Sequence, residues 1–397
     1  MQSVQPDFDV IVVGASFAGL VAARTAAMRG LKVAVVEAKP SAGARVATTG
    51  ILVKEAAEEL DLPHGLTRRV HGVRLYAPNL TSIDLFAPGY FFLTTRTGLL
   101  LDWLAGDALR AGVRLYFGHR FRGGERRADG AIALDGLDLT CRYLIGADGA
   151  RSRVAKAFGL GRNRRFLVGV EAEYEGLPGV DPRFLHCFVD SRMAPGYLGW
   201  VAPGPVVTQV GLATNGSVAA SLAQFEAKTA PLFAYGEGKV VERRSGLIPI
   251  GGPVAPFACP GVMLVGDAAG QVSPATAGGI RLAFHFGRRA GQLVADHLQH
   301  LGPPPELTIA RELPRFLGKR VLRLGLDLAP PNAVLDRLLA TAPMRRLAQQ
   351  IYFHRRRSGR MSFAEFSRLI DQRMPDLRGV EPSGRLGLDG EGVDGAG

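Results

Sequence analysis

Cysteine is scarce in this sequence: three among 397 residues, Cys141, Cys187 and Cys259. An odd, widely spaced set excludes a disulfide framework and fits a reducing compartment. Long apolar runs are missing too. No uncharged stretch approaches the roughly 20 residues that span a bilayer. The segment Met1–Asp7 is polar and the first apolar run is only Val10–Val13, so no secretory leader is expected. The expected location is cytoplasmic, either free or peripheral on the inner face of a membrane. No repeat of fixed period and no Gly-x-Ser-x-Gly nucleophile elbow occur. Of eight histidines, only His297 and His300 lie close at helical spacing. Without a cysteine or third ligand beside them, no metal is expected.

What is present is globular. Hydrophobic residues make up 47% and charged residues 21%, which supplies a large core and excludes a disordered chain. The length implies two to three domains. Net charge is +12, and it is unevenly spread: Arg311–Arg373 holds fourteen Arg and Lys against five Asp and Glu. Such a region meets anionic lipid, nucleic acid or a phosphorylated substrate, or is a solvated face of Arg-rich helices. Arg355-Arg356-Arg357 is read as a solvated cluster, with phospholipid headgroups as the alternative. Nucleic acid is not among the expected partners.

The chain opens as strand (Phe8–Val13), glycine-rich turn, helix (Phe17–Arg29, with Gly30 as its C-terminal glycine) and strand (Leu31–Val36). This βαβ opening implies a parallel sheet. Helical spacing returns at Glu55–Leu60, Thr97–Ala111, Val218–Lys228 and Ile280–His297. Strands are expected at Val113–Phe117, Ala131–Leu134, Leu139–Ile145 and Val262–Val265. Residues 166–250 are rich in Val, Gly and Pro and read as a mostly antiparallel sheet. Residues 306–373 read as helices broken at Pro314, Pro330, Pro331 and Pro343. Residues 376–397, with seven glycines, are expected to be a disordered tail.

Three segments carry chemistry. Gly14-Ala15-Ser16-Phe17-Ala18-Gly19 joins the first strand to the first helix. Gly14 permits the tight turn, Gly19 lets helix and strand pack, and the helix N-terminus faces a pyrophosphate. Ser16 replaces the usual middle glycine, and its hydroxyl is a candidate donor. Glu37, at the end of the next strand, would accept hydrogen bonds from an adenosine ribose. The second segment, Tyr143-Leu-Ile-Gly-Ala-Asp148-Gly149, ends a strand in an Asp-Gly turn. The third, Val262-Met-Leu-Val-Gly266-Asp267-Ala-Ala-Gly, ends another in a Gly-Asp turn. An Asp at the carboxyl end of a strand sits where α/β folds bind ligands and accepts hydrogen bonds from sugar hydroxyls. Downstream, Gly278-Gly279-Ile280 begins a helix whose backbone N–H groups would stabilise negative charge on a bound ring.

In this order and spacing the segments resemble the FAD-dependent reductase and hydroxylase superfamily, and within it the geranylgeranyl reductase family, over about residues 8–300. Four features carry the closer likeness. They are Gly266-Asp267-Ala-Ala-Gly with Ser273-Pro-Ala-Thr-Ala-Gly278-Gly279-Ile280; Thr49-Gly50-Ile51-Leu52 leading into Gly72–Pro78; Arg96 ahead of Leu101 and Leu104; and Gly196-Tyr197-Leu-Gly-Trp200-Val-Ala-Pro203. The last resembles the family's Tyr-x-Trp-x-Phe-Pro substrate motif, with one extra residue between the rings and Ala202 in the place of Phe. An extra residue in a strand turns one ring to the opposite face unless a bulge absorbs it. The near-flavin cysteine of some relatives is absent from Arg45–Gly50.

The resemblance implies an α/β fold: a Rossmann-like FAD-binding domain with a parallel sheet (residues 1–70, 95–165 and 255–300), a second, antiparallel β-sheet substrate domain (71–94 and 166–254), and a C-terminal helical region (301–375). It implies FAD contacts at Gly14, Ala15, Ser16, Phe17, Ala18, Gly19, Glu37, Ala38, Lys39, Arg45, Arg96, Phe121, Asp148, Gly266, Asp267, Gly278, Gly279 and Ile280. Substrate contacts are implied at Tyr197, Trp200 and Pro203. The implied activity is reduction of C=C bonds in an isoprenoid or other small hydrophobic, lipid-like substrate. NAD(P)H or an electron-donor protein is the candidate reductant, and no residue is assigned as proton donor. The alternative is an NAD(P)H-dependent flavin monooxygenase of an aromatic or polyketide-like molecule, which Gly278-Gly279-Ile280-Arg281, lacking a following Asn, disfavours. A flavin-retaining scaffold and a halogenase rank lower. Tyr90, Phe91 and Phe92 fit either a substrate cavity or plain sheet core.

Overall fold

The computed structural model describes residues 5–353. Arg355–Arg357 and the expected tail at 376–397 lie outside the described residues.

Phe8–Val13 is apolar on both faces and therefore sits inside a sheet. It pairs in parallel with Val33–Glu37 on one side and Thr140–Gly146 on the other. Arg114–Phe117 and Val262–Leu264 extend the parallel run outward. Ala258–Cys259 adds antiparallel at one edge, and Ile132–Leu134 with Gly124–Arg126 forms an antiparallel extension, giving eight strands. Val10 and Val12 pack under the helices Phe17–Met28, Thr97–Arg110 and Ile280–Leu298, while Ile11 and Val13 face a second core with Phe121 and Leu264. Gly287 and Gly291 let the last helix press onto the first. A Cβ on either would fall 2.5 Å from the carbonyl oxygen of Ala18 or Ala22. Because the central strands are parallel, Gly14, Glu37, Asp148 and Asp267 all leave the sheet at one edge, the carboxyl edge where such folds bind ligands.

A seven-stranded sheet runs in the order Lys239–Pro249, Phe166–Glu175, Val207–Thr214, Gly199–Pro203, Phe184–Phe188, Gly72–Tyr76, Ser82–Phe86. It is antiparallel except for one parallel pair, Phe184–Phe188 with Gly72–Tyr76. That pair arises because the chain leaves for the first sheet after Ser82–Phe86 and returns in the same direction. A three-stranded sheet joins Leu52–Val53 and Thr67–Val70 to Phe92–Thr95.

Four helices follow: Pro305–Glu312, Leu317–Asp327, Asn332–Leu339 and Ala342–Phe353. Leu339, Ala348 and Phe353 bury against Val73, Leu75 and Leu85, so the last two helices cover the face of the seven-stranded sheet. Pro314 and Pro330–Pro331 separate helices as expected. Pro343 also stands at a break: helix Asn332–Leu339 ends just before it, and it is the second residue of Ala342–Phe353, where a missing N–H costs no helical hydrogen bond. The helix expected over 55–60 is a single turn, Lys54–Ala57.

Candidate functional site

Gly14 turns the chain out of the first strand with φ of +105°, and a side chain there would strike Ala147 O at 2.4 Å. Gly19 lies so close to the turn that a Cβ would sit 2.0 Å from Gly14 O. Both positions thus require glycine. Ser16 caps the first helix: its hydroxyl accepts from Gly19 N at 3.2 Å and donates to Ala147 O at 3.1 Å. Its proton is therefore held by the protein rather than offered to a ligand. Glu37 is buried, and its two carboxylate oxygens accept from Ala15 N at 2.8 Å and Lys39 N at 2.9 Å. Each oxygen keeps lone pairs for further donors.

The two turn aspartates differ. Asp148 is committed to its own helix, Arg153–Ala157. It accepts from Ser152 Oγ at 2.7 Å, Arg153 N at 2.6 Å and Val154 N at 3.1 Å. Asp267 has no donor on its carboxylate among the described residues, and burial pushes its pKa up to about 6. It faces Gly279, where a Cβ would come within 3.3 Å of its Oδ1. Gln271 Oε1 accepts from Gly266 N at 2.7 Å and fixes this turn. The loop then reaches Gly279, and helix Ile280–Leu298 begins with no side-chain cap on its N–H groups. A half-buried carboxylate without a donor, the uncapped N-terminus of helix Ile280–Leu298 and the N-terminus of helix Phe17–Met28 suit the hydroxyls, polar ring edge and pyrophosphate of FAD.

These groups line one cavity of about 1630 Å³, larger than a pocket for one small ligand. Ala15, Phe17, Ala18, Ala38, Lys39, Arg45, Phe121, Gly266, Gly278 and Ile280 line it with the residues above. Three of the expected contacts do not line it. Gly19 packs against the turn, Arg96 is exposed at the start of helix Thr97–Arg110, and Pro203 lies inside its strand with its carbonyl accepting from Thr94 Oγ1 at 2.6 Å.

Beyond the cradle the cavity continues between the seven-stranded sheet and the C-terminal helices. Leu75, Leu185 and Val189 form one wall, and Leu335, Leu339, Met344 and Ile351 the other. Tyr197 and Trp200 both line it. The extra residue between them disturbs no register, because Tyr197 belongs to the turn after Gly196 (φ +77°) and the strand starts at Gly199. Tyr197 donates to Thr276 O at 2.7 Å, tying this arm to the loop before Ile280. Phe92 also lines the cavity, while Tyr90 is buried in the core against Phe353 and Phe91 stacks under Arg69.

Sequence reasoning missed a buried polar cluster here. Glu171 accepts from Trp200 Nε1 at 2.7 Å, from Thr49 Oγ1 at 2.5 Å and from Arg244 Nε at 2.7 Å. Arg244 also meets Glu173 at 2.8 Å. Burial pushes the Glu171 carboxyl up, and Arg244, Thr49 and Trp200 pull it back. The signal lay in the strands: Glu171 and Glu173 share one face, and Glu171 pairs directly with Arg244. Cys187 was missed as well. It lines the apolar arm beside Tyr352, and burial pushes its thiol up to about 11.

Residues 7–209 match the family model described as FAD binding domain. The chain is 33% identical over 312 residues to the digeranylgeranylglycerophospholipid reductase of Methanothrix thermoacetophila, covering 72% of this chain and 78% of that one. The chain belongs to the geranylgeranyl reductase family of FAD-dependent oxidoreductases. The family likeness extends to the menaquinone reductase of Mycolicibacterium smegmatis, 30% identical over 317 residues, 72% of this chain and 76% of that protein. Among solved structures, a geranylgeranyl bacteriochlorophyll reductase-like protein from Thermoplasma acidophilum shares the fold. Its TM-score is 0.75 at 24% identity, over 93% of this chain and 97% of that one. In this member of the family the Gly14 and Asp267 turns and the apolar arm share a single cavity.

Proposed function

We propose that this protein is an FAD-dependent reductase that saturates C=C bonds of an isoprenoid chain. The observation that carries the reading is the continuity of the cavity, from the Gly14 and Asp267 turns into an arm walled by leucines. Reduced FAD supplies the hydride equivalent when bound. Glu37 and the N-terminus of helix Phe17–Met28 hold its ribose and pyrophosphate. Asp267 accepts from its hydroxyls, and the first N–H groups of helix Ile280–Leu298 favour the anionic reduced ring. The leucine walls exclude water and align an extended chain with the cradle. Tyr197 and Trp200, one held by Thr276 O and the other by Glu171, fix the arm where it meets the cradle. In this reading residues 1–70, 95–165 and 255–300 serve the cofactor, 71–94 and 166–254 the substrate, and the helices after 300 roof the arm. Electrons arrive from NAD(P)H or a donor protein, identified by which reductant bleaches the flavin.

The test fills the arm while sparing the cradle. Ala348→Trp, in the arm wall, is expected to keep its flavin absorbance and to lose at least about tenfold in flavin reoxidation by a geranylgeranyl lipid without oxygen. Unchanged reoxidation by the lipid in that variant contradicts the reading. So does wild-type reoxidation that requires oxygen and an aromatic compound.

A further inference from the structure

Helix Leu317–Asp327 has two apolar faces. Leu322 and Leu326 line the cavity. On the outside, Leu317, Val321, Leu324 and Leu328 stand at spacings of four, three and four residues and are 69%, 70%, 61% and 82% exposed. That spacing puts all four on one stripe. Leucines and valine this exposed, aligned along three turns, mark a contact surface rather than scattered surface residues. The stripe also reaches the cavity: Leu317, Leu338 and Leu347 are both exposed and cavity-lining, so the arm opens to the outside among apolar side chains.

The charge around the stripe is of one sign. Arg315, Arg320, Arg337, Arg345 and Arg346 are exposed and have no acidic partner among the described residues, while Lys319 turns to the cavity face with Leu322 and Leu326. The acidic groups of the same helices are engaged elsewhere: Glu312 with Arg289, Asp327 with Arg165 and Arg323, and Asp336 with Asn79 N. An apolar stripe flanked by unpaired cations is the pattern of a helix lying in the plane of an anionic bilayer, with its leucines at the acyl boundary and its cations among headgroups. Both ends of the helix are set by left-handed non-glycine residues, Phe316 (φ +53°) and Ala329 (φ +46°), which turn it sharply out of its neighbours.

We propose that helix Leu317–Asp327 docks this protein on an anionic membrane surface, placing the mouth of the apolar arm against the bilayer so that a prenyl chain passes directly from lipid into the cavity. This rests on the reductase reading for what passes through the mouth, but not for the docking itself.

The experiment is co-sedimentation of the full-length, flavin-loaded protein with vesicles of phosphatidylglycerol and phosphatidylcholine, and with phosphatidylcholine alone. The comparison variant is Leu324→Asp with Leu328→Asp, neither of which lines the cavity. The expected result is binding to the anionic vesicles that weakens with salt, and at least roughly tenfold weaker partitioning of the variant. Flavin content and turnover of a short, water-soluble prenyl substrate should be unchanged in the variant, which separates docking from folding and from chemistry. Equal partitioning of wild type and variant overturns the proposal, as does wild type that ignores anionic vesicles at low salt. A wild-type dimer that the variant dissociates, seen by gel filtration, also overturns it and assigns the stripe to a second copy. Vesicle binding with no reduction of any prenyl substrate leaves docking intact and removes the reductase reading.

Discussion

At the residue scale, the cavity depends on side chains whose polar atoms are spoken for. Trp200 is held by Glu171, which also takes hydrogen bonds from Thr49 and Arg244. Trp200→Phe keeps the ring but removes the indole donor from a buried carboxylate. The expected cost is about 1–3 kcal/mol in urea unfolding, with flavin retained. Asp267 is the opposite case, a half-buried carboxyl without a donor. Burial raises its folded pKa to about 6, above the ordinary aspartate value of 3.8, so in the apoprotein the folded state binds the proton more tightly. Apoprotein stability therefore falls as pH rises from about 4 to about 6. In the proposed site the hydroxyls of FAD would donate to the ionised form, so FAD affinity is expected to rise through the same window. Titrating FAD by fluorescence at pH 5 and 7 checks this, and Asp267→Asn is expected to flatten the dependence.

At the scale of elements, glycines set the approach of helices to the cradle. Gly287→Ala would drive a methyl to within 2.5 Å of Ala18 O, in the backbone of helix Phe17–Met28, which lines the cavity. The two helices must separate, and the variant is expected to purify with less than about a tenth of the wild-type flavin, read from the absorbance ratio. Much at this scale was legible in the sequence. The βαβ opening, the Asp-Gly and Gly-Asp turns and the helix after Gly279 rest on local rules of glycine geometry and hydrophobic period. What was hidden is non-local. The Glu171–Arg244 pair forms only through the register of two strands about seventy residues apart in sequence. Asp148 points into its own helix because Ser152 and two N–H groups capture it, which a turn motif does not reveal. Tyr197 and Trp200 looked out of phase because both were assigned to one strand, whereas the turn at Gly196 releases the first.

At the scale of the whole molecule, two sheets and a helical roof meet around one cavity, and no one of them completes it. The first sheet supplies the turns, the second sheet and the last helices supply the apolar walls, and the loop at Thr276 links them through Tyr197. No helix among the described residues is long and apolar enough to cross a membrane. The arm opens at its side among Leu317, Leu338 and Leu347. Chain length should then matter at the arm. Prenyl substrates long enough to fill it are expected to bind more tightly than short ones by about 0.8 kcal/mol for each CH₂ newly buried, measured as the concentration needed for half-maximal flavin reoxidation. The most direct test of the account is the mass of the product after a single anaerobic turnover of the flavin-reduced protein with a geranylgeranyl lipid. The expected product is a lipid heavier by one pair of hydrogens for each double bond saturated, with no oxygen incorporated. An unchanged lipid beside fully reduced flavin, or a product that forms only with oxygen and carries an oxygen atom, would contradict it.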